Sequence, residues 1–150
     1  MRLLAAVAIL AVLPTAPAFA SGVDEKTPDQ QEIVALENRA SLASPKEQCF
    51  LYAELVHQMT ELAGRQLSAG DTNSASSTIH TVQAYAAKIH MGLADDSKRL
   101  KNAEILMRHT AFRLKEILYG SPLDDRASLE ATLRQLDQVQ SELMMQVFKH

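Results

Sequence analysis

The sequence predicts an all-α protein, built as an antiparallel helical bundle. Three observations carry this. Apolar residues recur at alternating steps of three and four, and no segment shows the period of two that a half-buried strand needs. Gly and Pro number only five each, in a chain rich in Ala, Leu, Glu and Gln, which favour helices. Cap and turn residues fall between the periodic segments.

With 47% hydrophobic and 22% charged residues, the 150-residue chain is neither disordered nor a multi-span membrane protein. A single Cys excludes a disulfide scaffold. The net charge of −3 argues against general nucleic-acid binding, and no nucleic-acid partner is expected.

The first 20 residues have the layout of a signal peptide. Met1-Arg2 is a short positive start, residues 3–13 are apolar, Pro14 breaks the run, and Ala18-Phe19-Ala20 is a small-residue cleavage site. The apolar run is shorter than the ~20 residues a spanning helix needs, so no stable membrane insertion is expected after cleavage. The expected location is periplasmic or extracellular, in a bacterium. The domain plan is therefore a cleaved leader over 1–20, a polar segment and short helix over 21–43, and a bundle domain over 44–150.

Thr27-Pro28-Asp29-Gln30 reads as a cap followed by a first-turn proline, opening a helix over 28–42 that carries Ile33, Leu36 and Ala40. Ser44-Pro45-Lys46-Glu47 reads as a capping box opening a helix over 45–69. Its stripe is Cys49, Tyr52, Val56, Met59, Ala63 and Leu67, and Gly70 stands where a left-handed terminator belongs. Cys49 on that stripe reads as a buried free thiol, with a disulfide between two chains as the alternative.

The third pattern is the longest. Ala75, Ile79, Val82, Ala86, Ile89 and Leu93 run in phase with Leu100, Ala103, Met107, Leu114 and Ile117. This favours one long central helix over 73–119, supported by an Asp95–Arg99 pair at i,i+4. A helix starting near residue 97 would also set Lys98, Arg99 and Lys101 against the dipole of its first turns. The alternative is a break near 92–97 and a compact up-down four-helix bundle. A continuous helix would leave half of its stripe short of cover and so favours a dimer. A last helix over 124–148 follows Ser121-Pro122, with Leu129, Leu133, Leu136, Gln140, Leu143 and Val147 on its stripe.

The best chemical constellation is Glu54, His57 and Glu61, spaced i, i+3, i+7. Glu-x-x-His is the spacing with which di-metal bundles hold their ions. It occurs once, without the second copy and the two further carboxylates such a centre requires, and it sits opposite the apolar stripe, facing water. It is carried as a candidate surface metal site. His80, His90, His109 and His150 make no i,i+4 pair, and one Cys cannot attach a c-type haem. Met59 and Met107 read as core filler rather than axial ligands. No cofactor is assigned, and no nucleophile elbow or phosphate loop points to an enzyme.

Lys98, Arg99, Lys101, Arg108, Arg113 and Lys115 are opposed locally only by Glu104 and Glu116, a solvated face or a site for an anionic partner. Asp96 and Glu104 fall near the apolar stripe, where a buried polar group marks a break, a partner base or a register device. Phe50, Ile105 and Phe112 lie off the main stripes, and the first helix is a candidate to cover them. The expected function is a non-catalytic exported protein acting through protein–protein contact, a homodimer included. The alternative is a small metal- or haem-binding bundle.

Overall fold

The computed structural model describes residues 28–89 and 97–149. Among the described residues it is helical throughout, with no strand: α1 Pro28–Leu42, α2 Pro45–Ser68, α3 Thr72–Ala86, α4 Ser97–Gly120 and α5 Leu123–Val147. The leader over 1–20 lies outside the described residues, as do His90, Leu93, Asp95, Asp96 and His150.

The predicted long helix over 73–119 is two helices. α3 ends at Ala86, earlier than the expected break, and α4 opens at Ser97. Lys88 and Ile89 donate to the carbonyls of Tyr85 and Ala86, bonds that tighten the last turn of α3. The turn still delivers Ile89 to the core and lays the Lys88 ammonium over the rings of Tyr52 and Tyr85, at 5.6 and 5.4 Å.

The physical reason for the break is burial. A 47-residue rod would be about 70 Å long, with each half of its stripe covered by one helix. Folding back sets both stripes into one core, where Val82, Leu100, Ala103, Met107 and Leu114 are essentially inaccessible. Each large aliphatic buried this way contributes roughly 1.5–3 kcal/mol. Cations near a helix N-terminus cost only about 0.3–1 kcal/mol each, screened by water. The two stripes stay in phase because they face one core, not because the helix continues. Arg99 meets Glu47 of α2 at 3.1 Å; Asp95, its expected partner at i,i+4, lies outside the described residues.

α2 packs on α1, α3 and α4, and α5 packs on α3 and α4. Around the four-helix core the order is therefore α2, α3, α5, α4, with the chain-consecutive α3 and α4 diagonally opposite. Contacts Glu47–Arg99, His57–Thr110 and Glu61–Arg113 advance together, so α2 and α4 run parallel. Gln83 of α3 meets Thr132 and Gln135 of α5, while α2–α3 and α4–α5 are hairpins. The up-down alternation of the expected compact bundle is present, with α4 placed diagonally opposite α3 rather than beside it. The chain closes its own core, so the reason for expecting a dimer from a half-covered rod disappears.

α2 is the central helix. Leu51, Tyr52, Ala53, Leu55 and Val56 are all buried, because α1 covers the face that α3 and α4 leave open. α1 seats Ile33, Leu36 and Ala40, and the Tyr85 hydroxyl donates to Glu37 at 2.8 Å, tying α1 to the end of α3. α1 does not cover Phe112 on α4, as the two-sided pattern had suggested; Phe112 stays exposed.

Local signals behave largely as expected. Gly70 has φ +78°, and the Gly70 and Asp71 amides reach the Leu67 and Gln66 carbonyls, closing a Schellman turn. The Ser44 capping box does not form: the Ser44 hydroxyl donates to the Glu47 carboxylate at 3.3 Å, and Arg99 takes its other oxygen. On α5 the stripe is Leu129, Thr132, Leu136, Val139 and Leu143. Leu133 and Gln140, expected on it, lie at its edge.

Candidate functional site

The α2–α4 seam gathers the polar residues that the helical spacing singled out. Glu54, His57 and Glu61 share one face of α2, as predicted, but they are half-buried rather than fully turned to water, and His57 and Glu61 meet α4. Glu61 accepts from Arg113 Nε at 3.0 and 3.2 Å, and Arg113 Nη1 also reaches Glu116 at 3.1 Å. These carboxylates hold the guanidinium's pKa above its ordinary value. His57 Nδ1 lies 2.9 Å from Thr110 Oγ1. The Thr110 hydroxyl uses its one proton on the Leu106 carbonyl at 2.8 Å. It therefore accepts from the His57 Nδ1–H.

This arrangement fastens two parallel helices. Among the described residues no three His, Cys, Asp or Glu side chains are placed to hold an ion. Of the trio, His57 and Glu61 take part in this seam. The reason is non-local: α4 brings an arginine and a threonine to this face, which α2 alone does not reveal.

The other candidates are placed as follows. His80 and His109 are exposed. Met59 and Met107 fill the core. Cys49 is free and 2% exposed, and burial pushes its thiol pKa up to about 11. It has neither the access nor the acidity of a reactive thiol. Glu104 is buried and accepts from Gln140 Nε2 of α5 at 2.8 Å, with Arg108 of its own helix 3.7 Å away. The expected partner was a base on a neighbouring helix; the structure supplies an amide there instead.

Two surface features remain. The first is the outer face of α4. Phe112 is 66% exposed and Tyr119, one heptad on, is 72% exposed. Arg108 and Lys115 are exposed on the same helix. α4 carries six cations against two carboxylates, whereas α3 carries no charged residue at all. Phe112 was singled out by its spacing; Tyr119 was not, although its i+7 offset from Phe112 was the available signal.

The second is an open groove of about 750 Å³ where the α1–α2 turn meets the start of α4. Leu42, Phe50 and Leu51 line it together with Arg39, Lys98 and Arg99. Sequence reasoning missed it, because its walls come from three helices whose ends meet only in the folded chain. Among the described residues no helix is long and apolar enough to cross a membrane. Set against known proteins, the chain matches no protein-family model, no curated protein and no solved structure, so its function is read from its own geometry.

Proposed function

We propose that the chain is an exported, non-catalytic contact protein whose α4 outer face docks an acidic protein partner. The observation that carries this reading is the exposure of Phe112 and Tyr119 on one cation-flanked helical face. Exposed aromatics beside arginine have the composition of interface hot spots. The charge excess on α4 favours a partner surface with apolar side chains among carboxylates. The described carboxylates at the α2–α4 seam support a structural rather than catalytic role, since Arg113 holds Glu61 and Glu116 together. Export is supported by the leader over 1–20.

Site-specific photo-crosslinking in the full chain tests this. A crosslinker at 112 or 119 is expected to give one discrete heterologous adduct in the exported fraction, while one at exposed Asn73 of α3 gives none. Lys115→Glu is expected to weaken the adduct. An adduct of twice the chain's own mass would replace the heterologous partner by a second copy. Adduct patterns that do not depend on position, at equal protein levels, would refute the docking face. Mass spectrometry of the exported protein is expected to find Ser21 as its first residue.

A further inference from the structure

We propose that the partner reaches the α4 face with an amphipathic α-helix, which lies in the groove between α4 and α5. Its carboxylate edge faces α4 and its basic edge faces α5. The helix is the docking element of the partner proposed for this face, so its assignment rests on that reading.

The exposed apolar side chains mark the face. Of the eight large ones exposed among the described residues, six belong to α4, α5 or the cap of α5. Two charged rows run among them. On α4, Arg108 and Lys115 are exposed and stand seven residues apart, each four residues before an exposed aromatic, Phe112 or Tyr119. On α5, Leu123, Glu130, Asp137 and Met144 follow one another at seven-residue steps, all exposed.

The contact between Glu104 and Gln140 fixes how the rows meet. α4 and α5 are antiparallel. Arg108 is four residues beyond Glu104 and Asp137 three before Gln140, so the two stand level to within about 1.5 Å along the axis. The same count sets Lys115 level with Glu130. Arg108 lies one turn from Glu104 on the same side of α4. Asp137 shares its side of α5 with Gln140, whereas Gln135 turns to Gln83 of α3. A cationic wall and an acidic wall therefore border one groove, between helix axes that packing holds about 8–10 Å apart. Arg108 reaches back to Glu104 of its own helix, 3.7 Å away, and among the described residues it does not cross the groove to Asp137.

The repeat of the walls selects a helix. Seven residues of α4 or α5 advance about 10.5 Å. A third helix laid nearly parallel presents its own side chains at that repeat. An extended strand repeats about every 6.8 Å on one face and falls out of step within one repeat. Leu123 to Met144 spans 21 residues, which about six helical turns would cover. The charges select its edges. A helix with like-charged edges would match one wall and be repelled by the other, whereas one with carboxylates on one edge and Lys or Arg on the other matches both. Turning a helix end for end exchanges its edges, so the two walls also set its direction.

The test is fluorescence anisotropy with the exported-length chain, 21–150, and two labelled peptides of three heptads each. Both carry Leu at positions a and d and Ala at b, c and f. One carries Glu at e and Lys at g; the other carries Glu at both. The native chain is expected to bind the Glu/Lys peptide one to one, and the Glu/Glu peptide about fivefold more weakly. Glu130→Lys combined with Asp137→Lys turns the acidic wall basic. Both positions are exposed, so the melting temperature should hold. This variant is expected to reverse the preference and bind the Glu/Glu peptide about fivefold more tightly than the Glu/Lys peptide. Lost folding cannot produce such a reversal.

The same preference in both chains would overturn the two-walled groove. Failure of both peptides to bind, while a photo-crosslinker at 112 still captures a heterologous partner, would remove the helix and keep the docking face. Absence of that adduct as well would refute the docking face itself. Sedimentation of the chain alone as a dimer that excludes both peptides would give the groove to a second copy and overturn the proposal.

Discussion

Gly64 of α2 faces Ile117 of α4 so closely that a Cβ on the glycine would stand 2.8 Å from Ile117 Cδ1 and 3.2 Å from Cγ1. The missing side chain is what lets the two parallel helices approach near their C-terminal ends. In an isolated helix, glycine costs about 1 kcal/mol relative to alanine. Here that cost is exchanged for packing. Gly64→Ala should gain the propensity and lose a similar amount to displacement of the Ile117 tip, ending within about 1 kcal/mol of the native stability. Gly64→Val, with two further methyl groups, should cost about 2 kcal/mol or more. Ile117→Val should be less damaging in the Gly64→Ala background than alone. Urea denaturation of the four chains measures this, and simple additivity would show that the two residues are not in contact.

Glu104 and Gln140 form the polar contact between α4 and α5, at 2.8 Å, with Glu104 only 8% exposed. Removing one partner of a buried pair leaves the other without its bond. Glu104→Ala should therefore destabilise by about 2 kcal/mol. Replacing both residues by Leu should cost far less than either single truncation suggests, or raise stability, since the desolvation of the carboxylate is removed along with the bond. A double-mutant cycle followed by chemical denaturation reads the coupling. Independent effects of the two substitutions would remove Glu104 from any register-setting role.

The elements themselves were legible, and their partners were not. Helix bounds at Pro28, Pro45 and near Leu123 follow from local signals, because proline at a first turn and Gly70 at a terminus act through a few neighbouring backbone groups. The stripe of Ala75 to Ile89 and that of Leu100 to Ile117 were also readable, since burial imposes the period wherever the cover comes from. What the period does not encode is which helix provides the cover. That gap hid the parallel pairing of α2 with α4 and made the two stripes read as one rod.

The candidate site shows the same divide. Spacing placed Glu54, His57 and Glu61 on one face correctly. It did not show that Arg113, 52 residues away in sequence, would hold Glu61. The groove at Arg39, Phe50 and Lys98 was illegible for the same reason. Phe112 and Glu104 were flagged because each broke the pattern of its own helix, a local signal that needs no knowledge of the partner.

Cys49 should behave as a packing residue. Its thiol is buried and its pKa is raised to about 11 by burial, so little thiolate exists at pH 8 and access is blocked. Reaction with a chromogenic disulfide reagent should be slow in native protein and complete within the mixing time in guanidinium. The exported protein should run as a monomer on a non-reducing denaturing gel. A fast native reaction or a disulfide-linked dimer would mean that the start of α2 opens in solution.

Tyr85 gives the bundle an alkaline limit. Burial first, then its bond to Glu37 and the charge of that carboxylate, push its phenol from an ordinary 10.0 up to about 12. The neutral phenol is the form that the fold favours. The folded pKa is raised, so the associated stability is fully present below pH 10 and is lost as pH rises through about 12. Because Tyr85 ties α1 to the end of α3, the first event above pH 10 should be release of α1 from α2. A Cys49→Ala background removes the thiol, which would otherwise titrate in an overlapping range. In that background Tyr85→Phe should lose about 1 kcal/mol near pH 7 by forfeiting the bond to Glu37. The same variant should lose stability less steeply between pH 10 and 12. Chemical denaturation across that range, with tyrosinate absorbance followed in parallel, decides the matter. Identical slopes with and without the Tyr85 hydroxyl would show that its ionisation is not coupled to the docking of α1.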